Sequence, residues 1–223
     1  MFLLPDNLVI RLFIIQFNYS IKVIIFDKIK KSQMKAKIVF LTLFLFQTIS
    51  LLAQDIASLK AEALKSYKAS VNMNFEDIFE TTYPKVFDIV SQEQMKTMFG
   101  QMMENEQFSI KLVEVEPDFS YGEIKKIEGK SFCMVNYNNV MAMKFKQPME
   151  DAESMIDIFK SSMGADKVSY DKLTNTFRIE MRSTLIAVSD DLTKNKWKFL
   201  NKDKENKMFS MIFNEKIVKA LGL

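Results

Sequence analysis

Thioethers and carboxylates are the side chains of this sequence best placed to do chemistry, and neither comes with its usual helpers. Of the 16 methionines, 14 lie after residue 54. Met95, Met98 and Met102 share a face at helical spacing, and Met141 and Met143 share a face of an alternating stretch. Thioethers bind Cu(I). Both sets, however, fall where the apolar pattern asks for core residues, and methionine is an adaptable core filler. Packing is the stronger reading. Glu114, Glu116 and Asp118, and again Asn201, Asp203 and Glu205, could gather oxygen ligands for Ca²⁺. Neither stretch has the glycine or the closing glutamate of a calcium loop, so both read as solvated faces.

The sequence has no histidine, which removes the commonest general base and the commonest transition-metal ligand together. Cys133, the single cysteine, lies in the apolar run Phe132-Cys133-Met134-Val135 and reads as a buried small hydrophobe. With one cysteine there is no intramolecular disulfide. Serines have no histidine to pair with, and five glycines leave no phosphate-binding loop. No catalytic residue, metal ligand or cofactor is expected.

Charge narrows the partners. Seven of the 31 Lys+Arg and two of the 28 Asp+Glu precede residue 54, which leaves 24 positive against 26 negative charges beyond it. A chain that must neutralise phosphates needs a strong positive field, so nucleic acid is not an expected partner. Lys194, Lys196, Lys198, Lys202, Lys204 and Lys207 form a basic stretch, but Asp190, Asp191, Asp203 and Glu205 dilute it.

The lost excess belongs to a leader. From Met34, Lys35 and Lys37 make a positive start, Ile38 to Phe46 an apolar stretch, and Leu51-Leu52-Ala53 a cleavage site. Ile38 to Ala53 is interrupted by Gln47, Thr48 and Ser50, and is shorter than the roughly 20 apolar residues of a spanning helix. Residues 34–53 are therefore read as a signal peptide, with export to the periplasm or beyond. Residues 1–33 are read as an over-extended start outside the fold, a second hydrophobic anchor being the alternative. Residues 54–223 are read as one domain.

Along that domain, Asp55 is placed to cap a helix bearing Ile56, Leu59, Ala63, Leu64, Tyr67 and Val71 at helical spacing. Asn74 caps a second, Pro84 interrupts it, and Ser91 with Gln94 opens a third that carries Met95, Phe99 and Met103. After Asn105 the period becomes two. Phe108, Ile110 and Leu112 alternate, then the phase slips at Val113. Phe119 to Ile127 is a weaker strand. Asn138-Asn139 is a turn or a bend between Phe132–Val135 and Met141–Phe145. A helix follows with Ala152, Met155, Ile156, Phe159 and Met163 on one face and Gly164 closing it. Val168–Tyr170, Phe177–Val188 and Trp197–Phe199 complete the strands, and Asn214 caps a last helix.

Helices followed by an antiparallel sheet define an α+β fold. The helical stretch Ile56 to Met103, the long strands Phe132–Phe145 and Phe177–Val188, and the ending Trp197-Lys198-Phe199 before a short helix resemble the NTF2-like superfamily. That resemblance implies N-terminal helices packed into a curved sheet, with the helix before Gly164 as an insertion; a cystatin-like arrangement stays open. The superfamily contains non-enzymatic binding domains and small isomerases or dehydratases, and none of its active-site residues is matched. The leading expectation is an exported, non-catalytic envelope domain for a small hydrophobic molecule or another envelope protein. Its pocket would be lined by Met141, Met143, Phe145, Phe177, Ile179, Met181, Trp197 and Phe199, which the alternation turns inward. The alternative is an isomerase or hydratase with a carboxylate beside Tyr121, Tyr137 or Tyr170. The leader reading predicts that protein recovered from the producing cell has an intact mass beginning at Gln54; a species retaining residues 1–33 contradicts it.

Overall fold

Two long strands set the architecture. In the computed structural model, which describes residues 55–223, Lys130–Phe145 (β4) and Thr176–Ser189 (β6) pair antiparallel from Ser131↔Ser189 to Lys144↔Thr176. Successive side chains of a strand point to opposite faces. The unbroken register therefore puts Cys133, Val135, Tyr137, Met141 and Met143 on one face with Ala187, Leu185, Ser183, Ile179 and Phe177. Phe132 and Met134 share the other face with Val188 and Ile186.

Short strands flank this pair. Phe108–Leu112 (β1), Ser120–Tyr121 (β2) and Lys125–Ile127 (β3) pair in turn along the free edge of β4. Lys167–Asp171 (β5) and Lys198–Asn201 (β7) divide the free edge of β6. The result is a seven-stranded, curved, open antiparallel sheet. The turn from β3 to β4 needs a positive φ at both Glu128 and Gly129, which glycine supplies without strain.

Helices cover the sheet where it is apolar. The helix over residues 55–71 (α1) buries Leu59 and Ala63 against Cys133, Val135, Leu185, Ala187, Trp197 and Phe199. At the far end of that face, Ala152–Met163 (α4) buries Phe159 against Met143, Phe177 and Ile179. Asp151 caps α4 and Gly164 ends it at φ 68°. At the β7 end of the opposite face, Lys207–Ile212 (α5) and Glu215–Leu221 (α6) bury Phe209, Phe213 and Ile217 against Phe132, Ile186 and Val188. The fold is thus the expected α+β arrangement, with helices on a curved antiparallel sheet and one helix inserted between strands.

Several local readings change. Asn138 and Asn139 make neither turn nor bend but lie inside β4. Their side chains are satisfied sideways: Asn138 Oδ1 accepts Asp118 N at 3.0 Å while its Nδ2 donates to Glu116 O at 3.2 Å, and Asn139 Nδ2 donates to the Ser183 hydroxyl at 3.1 Å. The single weak strand of Phe119 to Ile127 is two short ones. Asp55 does not precede α1 but already belongs to it. Phe75–Thr81 (α2) keeps its Asn74 cap, and Gln92–Met103 (α3) keeps the Ser91–Gln94 capping box. Yet α3 has no buried residue, and Met98 and Met102 are 62% and 51% exposed. The stripe is apolar but only half buried at best, with Met95 packed against the cluster of Phe209, Phe213 and Ile217. The leader and residues 1–33 lie outside the described residues.

Burial separates residues that hydrophobicity alone ranks together. Ile179→Ala, at a fully buried site, is expected to cost about 2–5 kcal/mol in a denaturant melt. Met98→Ala is expected to change the melt by less than about 0.5 kcal/mol. Equal losses would contradict the placement of α3.

Candidate functional site

The eight residues expected to line one pocket share a sheet face but not one space. Met143, Phe177 and Ile179 are core under α4, with Met141, Phe145 and Met181 packed against them. The Phe177 ring is ringed by Phe145, Phe159 and Tyr170 at centroid distances of 5.7, 5.2 and 4.5 Å. Trp197 and Phe199 lie at the other end, under α1. Of the eight, Phe199 alone faces the cavity that this end of the fold contains.

That cavity, of about 270 Å³, opens where β7 ends. Ser66, Ser70 and Met73 reach it from α1 and the turn after it, at spacings of four and three that keep them on one side of the helix. Ile78, Thr81 and Thr82 come from α2, and Val86 from the 3₁₀ turn Pro84–Asp88. Met95 and Phe99 come from α3, on the half-buried side of that helix. Leu112, Leu185, Phe199 and Leu200 form the sheet wall, and Asn201, Asp203 and Met208 the rim. α3 borders the space with a half-buried side: Met95 packs against the cluster of Phe209 and Phe213, and Phe99 faces the cavity. Phe75 meets Phe79 at 5.8 Å and Phe99 at 6.1 Å, which ties α3 to α2.

The walls are mainly apolar, with Ser66, Ser70, Thr81, Thr82, Asn201 and Asp203 as the polar residues among them. The Ser70 hydroxyl donates to Ser66 O at 3.0 Å, Thr81 to Asp77 O at 2.8 Å and Thr82 to Ile78 O at 2.7 Å. Asp203 accepts amides of Glu205 and Lys207 through Oδ1 at 2.9 and 3.1 Å, with Met208 N near Oδ2 at 3.4 Å. Partial burial pushes its carboxyl up, but those amides outweigh it and hold the group below its ordinary range.

A buried carboxylate–tyrosine pair does exist, at residues the sequence reading did not pair. The Tyr83 hydroxyl donates to Asp190 Oδ2 at 2.8 Å, and Asp190 Oδ1 accepts Thr193 N at 3.1 Å. Lys130 Nζ stands 4.0 Å away. Burial, then the neighbouring carboxylate, pushes the Tyr83 hydroxyl well above its ordinary range. Both residues are buried and neither lines the cavity. With both oxygens engaged, Asp190 works as a latch from the β6–β7 turn to the chain entering Pro84. Its only sequence signal is the Asp190–Thr193 spacing of a side-chain-capped turn.

The other singled-out groups are placed structurally. Tyr170 donates to Asn175 Oδ1 at 2.7 Å, Tyr137 packs edge-on against Tyr67 at 5.8 Å, and Lys60 Nζ sits 5.7 Å from the Tyr121 ring centre. Glu114 and Glu116 are exposed, and Asp118 pairs with Arg182. Lys198 Nζ donates to Glu80 O, and Lys204 Nζ to Ser162 O. Burial raises the Cys133 thiol to about 11, so it is no nucleophile. Among the described residues no group of three or more His, Cys, Asp or Glu is placed to hold a metal, and no helix is long and apolar enough to cross a membrane. No protein-family model, no curated protein and no solved structure matches this chain.

Proposed function

We propose that this is a non-catalytic binding domain of the bacterial envelope, which takes a small, mainly apolar molecule into the α1–α3 cavity. The observation that carries this reading is the cavity itself, walled by Met73, Met95, Phe99, Leu185 and Phe199 and bordered by a helix with no buried side chain. Engineered apolar cavities of about 150 Å³ stay dry and accept benzene, so about 270 Å³ suits a ligand of roughly ten to fifteen heavy atoms. A helix held by half-buried contacts opens at little cost, which gives such a ligand a way in. Methionines in the wall let the lining adapt to shape. Export is part of the same proposal and rests on the leader pattern of residues 34–53.

The enzyme alternative finds less support. Among the described residues Tyr121, Tyr137 and Tyr170 stand beside no buried carboxylate, and the Tyr83–Asp190 pair is spent on the turn it holds. The protein-partner alternative rests on exposed Met98 and Met102.

Trp197 is the only tryptophan and packs in the same cluster as the cavity residue Phe199. Titration of the purified protein with 1-nonanol is expected to shift its emission saturably. Ser70→Leu, which fills the cavity from α1, is expected to weaken that response at least tenfold with the melting temperature kept. A saturable response that Ser70→Leu leaves unchanged would place the binding elsewhere.

A further inference from the structure

The polar groups of the cavity are not a neutral set. Its lining contains one carboxylate, Asp203, and no lysine or arginine. Ser70, Thr81 and Thr82 have given their hydroxyl protons to helix carbonyls and offer only lone pairs to an occupant. Ser66, 8% exposed, lends its carbonyl to Ser70, while its own hydroxyl has no hydrogen-bond partner among the described residues. Lys202, Lys204 and Lys207 flank Asp203 in the chain, but among the described residues none is ion-paired with it: Lys204 reaches to Ser162 O and Lys207 pairs with Glu205. Asp203 and Asn201 are exposed, so they mark the opening, while the apolar walls and Ser66 lie inward.

Resting on the binding function proposed above, we infer that the ligand is an amphipathic amine, with an apolar body in the cavity and an ammonium group at the Asp203 rim. A site that accepts hydrogen bonds and carries a fixed negative charge selects a donor-bearing cation. It also works against the competitor: a carboxylate head would meet Asp203, and the described lining offers no lysine or arginine to pair it. Fatty acids are thus excluded by charge although their chains would fit.

Nonylamine, 1-nonanol and nonanoate present one chain with three heads, and calorimetric titration of the purified protein separates the terms. The expected order is amine tightest, alcohol intermediate and carboxylate weakest, with about tenfold between the first two at low salt. Asp203→Asn keeps an oxygen for the α5 amides while removing the charge. It is expected to erase the amine's advantage, leave the alcohol unchanged and retain the melting temperature. Ser66→Ala is expected to weaken amine and alcohol alike. Alcohol and carboxylate binding as tightly as the amine would overturn the charge selection and leave the cavity function standing. So would an equal loss for amine and alcohol in Asp203→Asn. Binding of none of the three would overturn both.

Discussion

The register between β4 and β6 is the constraint on which everything else rests. A slip of one residue would send Val135, Met143, Phe177 and Ile179 to the face now carrying Asn136, Arg178 and Glu180. The α4 end holds that register in place, because Met143, Phe177 and Ile179 are buried on one face there while Lys144 and Arg178 on the other are exposed. The short strands then have no choice of position. Each pairs with whatever stretch of edge the two long strands leave open, and each carries its neighbouring helix to a fixed place.

The cavity is a by-product of that division of the sheet. α1 and α4 occupy the apolar face at its two ends, and α5 with α6 covers the β7 end of the other face. α3 arrives with an apolar stripe that stays half buried or exposed, Met95 packing on the α5–α6 cluster and Phe99 on the Phe75 ring. The space between it, α1 and the end of β7 stays open. Binding capacity here follows from incomplete packing rather than from a dedicated motif.

That explains what the sequence could and could not say. Alternation is local, so the inward face of Phe177, Ile179 and Met181 was legible from period alone, as were the Asn74, Ser91 and Asn214 caps. What decides whether an apolar residue becomes core or cavity wall is how many elements compete for the same face. Met95 and Met143 look alike in the sequence; one lines a cavity and the other is sealed under α4. Asn138-Asn139 misled for a related reason, since two consecutive asparagines signal a turn unless distant partners such as Asp118 and Ser183 satisfy them. α5 was hidden inside a run of lysines, its one marker being Asp203, whose carboxylate accepts the Lys207 and Met208 amides from outside the helix. Asp203 was noticed only as a possible calcium ligand.

If the space between α1, α3 and the end of β7 is a cavity that an apolar molecule can reach, xenon will enter it. A crystal of the protein pressurised with xenon tests this without assuming any ligand. Xenon density is expected between Met73, Phe99 and Leu185, with the surrounding sheet unmoved. A crystal in which α3 has closed onto α1, or in which ordered waters fill the space and no xenon enters, would contradict it.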